Sequence, residues 1–328
     1  MAGFTAGLTL PLRLGAGSNN NDQVGERLPM RKLGLTGENV TMLGLGGYHV
    51  GWTTEKDAQE VIETAIEGGI RFFDTAHNYI RGASEERYGK YLIPKYRDSI
   101  FLMTKSQAGD GKELLEEFEL SLRRLKTDRV DLLQMHSLSN PEDVKNRIKN
   151  GVIDALKKIK NSGKARFIGF TGHSNPEAHI QMMQNNPDLK EFSTIQMPVN
   201  AIDFSSDHSF IGKALPLALE NNLAVLAMKT LADGRFFSIK QQGDRVKWTT
   251  DTPTVPNYIT VKEALYFSWS MPVSVLITGA ENKDLLREKI NLARDFVTLS
   301  NKEKDLIIEK SLNVPDRIKI EYYKKNIS

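Results

Sequence analysis

The sequence predicts a single eight-stranded (β/α)8 barrel with a short N-terminal arm, and three observations carry that reading. From residue 40 onward a short β-branched run, a loop and an amphipathic helical period recur in the same order. Eight strand candidates follow one another, at 41–45, 70–74, 100–104, 130–135, 165–170, 194–197, 224–228 and 273–277. Strict β–α alternation requires a parallel sheet. An open doubly wound sheet would begin with a G-x-G-x-x-G turn, whereas the glycines after the first run stand at Gly44, Gly46 and Gly47, off that spacing.

The helical periods fall between the strands, at 56–67, 84–93, 111–125, 152–161, 176–185, 210–221 and 261–268, with a last one at 283–296. Thr54, Ser84 and Asn175 are the expected N-caps, the last followed by Pro176-Glu177. Gly68-Gly69 and Gly163 suit helix ends, where a left-handed residue commonly closes the last turn. The long connection at 232–260 carries Gly234, Gly243, Pro253 and Pro256 together with Phe236, Phe237 and Trp248. So long a loop is expected to serve function.

Composition narrows the class. The chain has 328 residues, 40% of them hydrophobic, enough for a large core in one unit. Lys and Arg number 44 against 41 Asp and Glu, a net of +3. That balance points to neither nucleic acid nor an anionic membrane as partner. The sequence has no cysteine, which removes disulfides, thiolate nucleophiles and cysteine-based metal sites together. Its six histidines show no metal-binding spacing, so no metal is expected. Residues 1–18 are apolar and small, with Arg13 the one charge, and precede Asn19-Asn20-Asn21-Asp22. They read as part of an arm over 1–28, ahead of the barrel at 29–328, or as an export-signal remnant without its basic start. A cytoplasmic location is the expectation, and a periplasmic one the alternative if 1–18 is a cropped signal. No stretch reaches transmembrane length.

In such a barrel the active site forms at the C-terminal ends of the strands. The second strand candidate ends in Asp74, with Tyr79 in the following loop; the third leads to Lys105 and the fourth to His136. Each alone has an ordinary structural explanation. Together they bring a carboxylate, a phenol, an ammonium and an imidazole to one rim from consecutive strands. That set suits delivery of a proton to a carbonyl oxygen. A phenol with a pKa near ~10 keeps its proton at neutral pH. A lysine beside it eases proton release, and a carboxylate holds the lysine charged. A neutral histidine polarises the carbonyl. The hydride has to come from a cofactor.

The chain resembles the aldo-keto reductases over about residues 30–300. The likeness rests on Arg71-Phe72-Phe73-Asp74-Thr75-Ala76-His77-Asn78-Tyr79 continuing to Ser84-Glu85 and Gly89. It rests also on Met103-Thr104-Lys105, on Asp131-Leu132-Leu133-Gln134-Met135-His136, and on the opening Arg31-Lys32-Leu33-Gly34 and Gly44-Leu45-Gly46-Gly47. The resemblance implies Tyr79 as general acid/base, Asp74 and Lys105 as its support, and His136 as the carbonyl-orienting residue. It implies NAD(H) or NADP(H) as cofactor, held by Gly46, Gly47, Asp74, Thr171, Gln196, Met228, Lys229, Leu231, Gly279, Ala280, Lys283 and Glu288. The cofactor half departs from the usual family pattern. Gly169-Phe170-Thr171-Gly172-His173 stands for a Gly-Val-Ser-Asn run, and Met228-Lys229-Thr230-Leu231 for Tyr-Ser-Pro-Leu. The lysine and arginine that commonly hold a 2′-phosphate are replaced by Gly279 and Leu285. NAD(H) is therefore expected to serve at least as well as NADP(H).

Tyr48, His49, Trp52 and His77 are candidates for shaping a pocket for a small carbonyl or sugar. A monomer or small homo-oligomer is expected. Two other functions fit the same barrel: a cofactor-occupied redox-sensing or partner-binding module, and a sugar-phosphate lyase or isomerase.

Overall fold

The computed structural model describes residues 20–232, 258–314, 320–321 and 323–324. The leader at 1–18 and most of the long connection at 232–260 lie outside them. The strands are β1 (Asn21–Asp22), β2 (Gly25–Glu26), β3 (Met30–Lys32), β4 (Asn39–Thr41), β5 (Leu43–Gly46) and β6 (Phe72–Asp74), then β7 (Phe101–Ser106), β8 (Val130–Met135) and β9 (Ala165–Thr171). β10 (Phe192–Pro198), β11 (Ala224–Met228) and β12 (Val275–Thr278) complete the set among the described residues. β5 to β12 form a closed parallel barrel in sequence order, β12 pairing back to β5 through Ile277 and Gly44. The predicted (β/α)8 barrel is the observed fold.

Strand parity organises the barrel, because successive residues point to opposite faces. Phe72, Phe101, Met103, Leu132, Ala224, Leu226, Val275 and Ile277 pack together inside. Their neighbours Phe73, Leu102, Leu133, Ile195, Val225 and Leu276 belong instead to the larger core between strands and helices. Phe72 and Phe101 stack at 5.0 Å between ring centres. Gly44 makes room for them, since a methyl group there would stand 2.8 Å from the Phe72 ring. The same parity carries Asp74, Lys105, Gln134, His136, Gln196, Met228 and Gly279 inward at the C-terminal ends of their strands.

The other end is closed by elements that carry no sequence periodicity. β3 and β4 pair as an antiparallel hairpin, and Leu33 and Val40 seal the interior from below. β1 and β2 form a second hairpin, tied to the barrel by Arg71, whose guanidinium donates to both carboxylate oxygens of Asp22. Residues 20–28 are thus joined to the barrel base, with Leu28 buried.

The expected helices are present as α2 (Glu55–Glu67), α3 (Ala83–Tyr91), α5 (Gly111–Leu125), α7 (Val152–Asn161), α8 (Pro176–Asn185), α9 (Phe210–Glu220), α10 (Val261–Trp269) and α11 (Lys283–Arg294). Four further helices were not anticipated: α1 (Gly47–Trp52), α4 (Ile93–Tyr96), α6 (Pro141–Lys149) and α12 (Asn301–Leu312). Thr54 and Asn175 cap their helices as expected. Ser84 does not. Gly82, at φ +97, begins α3, and the Ser84 hydroxyl bonds to Thr75 instead. Among the described residues no helix is long and apolar enough to cross a membrane.

Candidate active site

Tyr79 opens a short 3₁₀ turn, Tyr79–Gly82, after β6. The loop is stitched to its neighbours: the Thr75 amide donates to the Met103 carbonyl at 3.0 Å and the His77 amide to the Lys105 carbonyl at 2.9 Å. Arg124 of α5 donates to the His77 carbonyl at 3.1 Å and pairs with buried Glu85, which accepts from Thr104. Ile80 and Arg81 take left-handed backbone angles, φ 49 and φ 56, as does Ser137 directly after His136. Such angles in non-glycine residues, a β-branched one above all, are held only where surrounding contacts compel them.

The Lys105 ammonium is fully engaged. It pairs with Asp74, donates to the Thr75 carbonyl at 2.8 Å and donates to the Tyr79 hydroxyl oxygen at 3.1 Å. Its nitrogen also stands 4.5 Å from the Tyr79 ring centre. Three N–H groups thus meet three acceptors, the phenol oxygen of Tyr79 among them. Burial pushes Asp74 up and Lys105 down from their ordinary pKa values, and in each case the partner's opposite charge opposes that push.

His136 faces Tyr79, ring centres 5.6 Å apart. Its backbone is fixed from both sides: the amide donates to Ser106 at 2.8 Å, and the carbonyl accepts from Arg147 at 2.8 Å. Burial, followed by the Lys105 charge, holds its imidazole well below the usual histidine pKa, so the ring is neutral. Nδ1 is buried and meets no hydrogen-bond partner among the described residues.

A pocket runs from Tyr79 across the ends of β10, β11 and β12. Gly46, Tyr48, His49, Asp74, Gln196, Met228, Lys229, Leu231 and Gly279 line it, with Thr230, Glu281, Leu285 and Lys289. Gln196 Oε1 is buried without a donor among the described residues. An amide N–H is what it lacks, and a nicotinamide carboxamide supplies one. Gly279 lies directly against the His49 ring, where a methyl group would stand 1.9 Å from Nδ1, and Met228 offers the pocket a polarizable face. The residues present therefore fit a nicotinamide dinucleotide.

Several candidates stand elsewhere. Gly47 is buried beneath the Tyr79 loop, where a methyl group would meet the Asp74 carbonyl at 2.6 Å. Thr171 is buried at the end of β9, and Ala280 is buried under the turn after β12. Lys283 pairs with Glu60 of α2 at 3.1 Å. Glu288 and Trp52 are not among the residues lining the pocket, Trp52 packing instead edge-on to His49 at 6.3 Å. His77 turns to α5, with Ser121 at 3.3 Å and Glu117 at 3.7 Å. Glu281 and Lys289, by contrast, reach the pocket without a motif to mark them. Proximity of Glu281 to Gly279, two residues back, is the one local signal. Among the described residues no group of three or more His, Asp or Glu could hold a metal ion.

Comparison with known proteins settles the lineage. The model of the aldo/keto reductase family matches residues 42–310. The chain belongs to the aldo/keto reductase family. The chain is 31% identical to "Aldo-keto reductase YhdN" of Bacillus subtilis over 216 residues, 61% of each chain, so the match spans less than two thirds of that relative's length. It is 34% identical to the L-galactose dehydrogenase of Arabidopsis thaliana over 222 residues, 63% of this chain and 67% of that one. The holo form of the aldo-keto reductase AKR11C1 from Bacillus halodurans superposes with a TM-score of 0.71 over 87% of this chain and 96% of that chain, at 22% identity. That likeness speaks to the fold. The chain thus stands in a family of oxidoreductases.

Proposed function

We propose that the reductase interconverts a small aldehyde, ketone or sugar carbonyl with the alcohol, using a nicotinamide dinucleotide, with Tyr79 as proton donor. The dinucleotide, when bound, supplies or accepts the hydride. The observation that carries the reading is the lysine whose three donors are spent on Asp74, Thr75 and the Tyr79 oxygen. A cation on that oxygen stabilises the phenolate left after the proton departs. The neutral His136 ring, across from Tyr79, donates a hydrogen bond to the substrate oxygen without competing for its proton. Gln196 accepts from the carboxamide and sets which face of the ring is presented. The exposed Tyr48 ring, 5.6 Å edge-on from Tyr79, gives the open side an aromatic wall for a substrate.

Cofactor choice follows from charge. Lys283 is occupied by Glu60, and exposed Arg287 pairs with Asp284 at 3.3 Å. Neither Gly279 nor Leu285 brings a cation, and a 2′-phosphate favours a guanidinium clamp. The reductase accordingly uses NAD(H) at least as well as NADP(H). Titrating NADH and NADPH by fluorescence and then assaying a panel of aldehydes, ketones and sugars tests both statements. Failure to bind either dinucleotide removes the reading. A preference for NADPH beyond about tenfold, ~1.4 kcal/mol, removes the cofactor assignment alone.

A further inference from the structure

The turn after β12 gathers charge that the hydride chemistry does not use. His49, Glu281 and Lys289 line the same pocket as Tyr79 and Gln196, at its β12 and α11 end. His49 Nε2 stands 3.6 Å from Glu281 Oε1. Lys289, buried, reaches back along α11 and donates to the Gly279 carbonyl at 2.6 Å. Glu281 Oε1 is itself buried, and no donor lies within hydrogen-bond distance of it among the described residues. A buried carboxylate oxygen left in that state is costly and is relieved by a ligand that donates to it.

The surroundings say what kind of donor. Asn282 spends the first amides of α11 on its own side chain, accepting from Asp284 and Leu285, so the helix start is already satisfied. A phosphate entering here would face the Glu281 carboxylate at close range, with Lys289 already committed to a carbonyl and Leu285 on the wall. A vicinal diol meets the opposite situation. One hydroxyl donates to Oε1, and the other brings no negative charge up against the carboxylate. A carboxylate that accepts from ribose hydroxyls is a device dinucleotide-binding proteins of other folds employ.

We propose that Glu281, backed by Lys289, reads the ribose hydroxyls on the adenosine side of the dinucleotide and rejects the 2′-phosphorylated form. The assignment rests on the dinucleotide reading above and falls on Glu281 rather than on the cofactor candidate Glu288, since Glu281 is on the pocket wall and Glu288 is not. His49 stands beside the carboxylate from α1, 3.6 Å from Oε1. Lys289 is spent on the Gly279 carbonyl and leaves a phosphate no cation to pair with.

The test uses AMP and adenosine 2′,5′-bisphosphate in calorimetry, with NADH and NADPH followed by fluorescence. Each is titrated into the wild type, Glu281→Gln and Glu281→Arg, and melting curves report whether the variants are folded. The wild type is expected to favour AMP and NADH by about tenfold, Glu281→Gln to lose most of that preference, and Glu281→Arg to reverse it. Unaltered ratios in folded Glu281→Gln, or a wild type that favours the bisphosphate, overturn the assignment. A wild type that binds AMP with that preference but neither dinucleotide overturns the proposed function and leaves an adenosine site. One that binds none of the four overturns both.

Discussion

Asp74 and Lys105 form an ion pair at the barrel rim whose side chains are 3% and 1% exposed. Removing one member of such a pair strands the other charge, at a cost of about 3–5 kcal/mol. Lys105→Met is therefore expected to lose stability in urea denaturation as well as turnover. The double variant Asp74→Asn/Lys105→Met should recover much of the stability and none of the activity. If the two single losses simply add in the double variant, the pair is not energetically coupled.

Tyr79→Phe should lower turnover about 10²- to 10⁴-fold, the usual worth of a positioned acid. Dinucleotide affinity should stay close to wild type, because the change removes one oxygen and adds no bulk. Lys105 keeps Asp74 and Thr75 as acceptors, so the fold should survive. Single-turnover kinetics beside a binding titration separate the two effects, and wild-type turnover in the variant would remove Tyr79 from the mechanism.

His179 carries a pH prediction. It is completely buried on α8 between Phe170 and Phe210, with neither ring nitrogen meeting a partner among the described residues. Burial first, and His173 second, push its pKa down to about 3 from 6.5. The unfolded chain then binds a proton that the folded one refuses as pH falls below ~6.5, so stability declines from there toward pH ~3. Above that window His179 contributes no pH dependence. Between pH 7 and pH 5 the loss from this one group amounts to about 2 kcal/mol. His179→Leu should flatten the urea-derived stability profile by that amount, and an unchanged acid slope would contradict the prediction.

Gly89 of α3 packs against α5 so closely that a methyl group on it would stand 2.1 Å from the Arg124 carbonyl oxygen. Arg124 is also the residue that anchors the Tyr79 loop through the His77 carbonyl. Gly89→Ala should cost about 1–3 kcal/mol in stability and lower turnover with it. Gly109→Ala, where the nearest atom is 3.8 Å away, is the control expected to melt like wild type. Equal melting temperatures for the two variants would show that α3 yields without strain.

Much of this protein is written in local pattern. Recurring apolar runs and 3.6-residue periods determined eight strands, their helices and a parallel closed sheet, because alternation and periodicity are properties of neighbouring residues. The same period-two rule carries Asp74, Lys105, His136, Gln196 and Gly279 to the interior. A one-residue shift in any of those strands would have turned them to the helices.

What tertiary structure alone decided lies where partners are far apart in sequence or too short to show a period. β1 and β2 have two residues each, which leaves no pattern to detect. The base is sealed by contacts such as Arg31 to the Trp269 carbonyl, 238 positions apart. Left-handed Ile80, Arg81 and Ser137 carry no glycine to announce them, since the surrounding contacts rather than intrinsic preference hold those angles. Glu281 and Lys289 each read as an ordinary polar residue in the sequence, and His49 as a candidate for the substrate pocket. Only closure of the barrel, which sets β12 beside β5, brings His49 on α1 against Glu281 and turns three scattered residues into one wall.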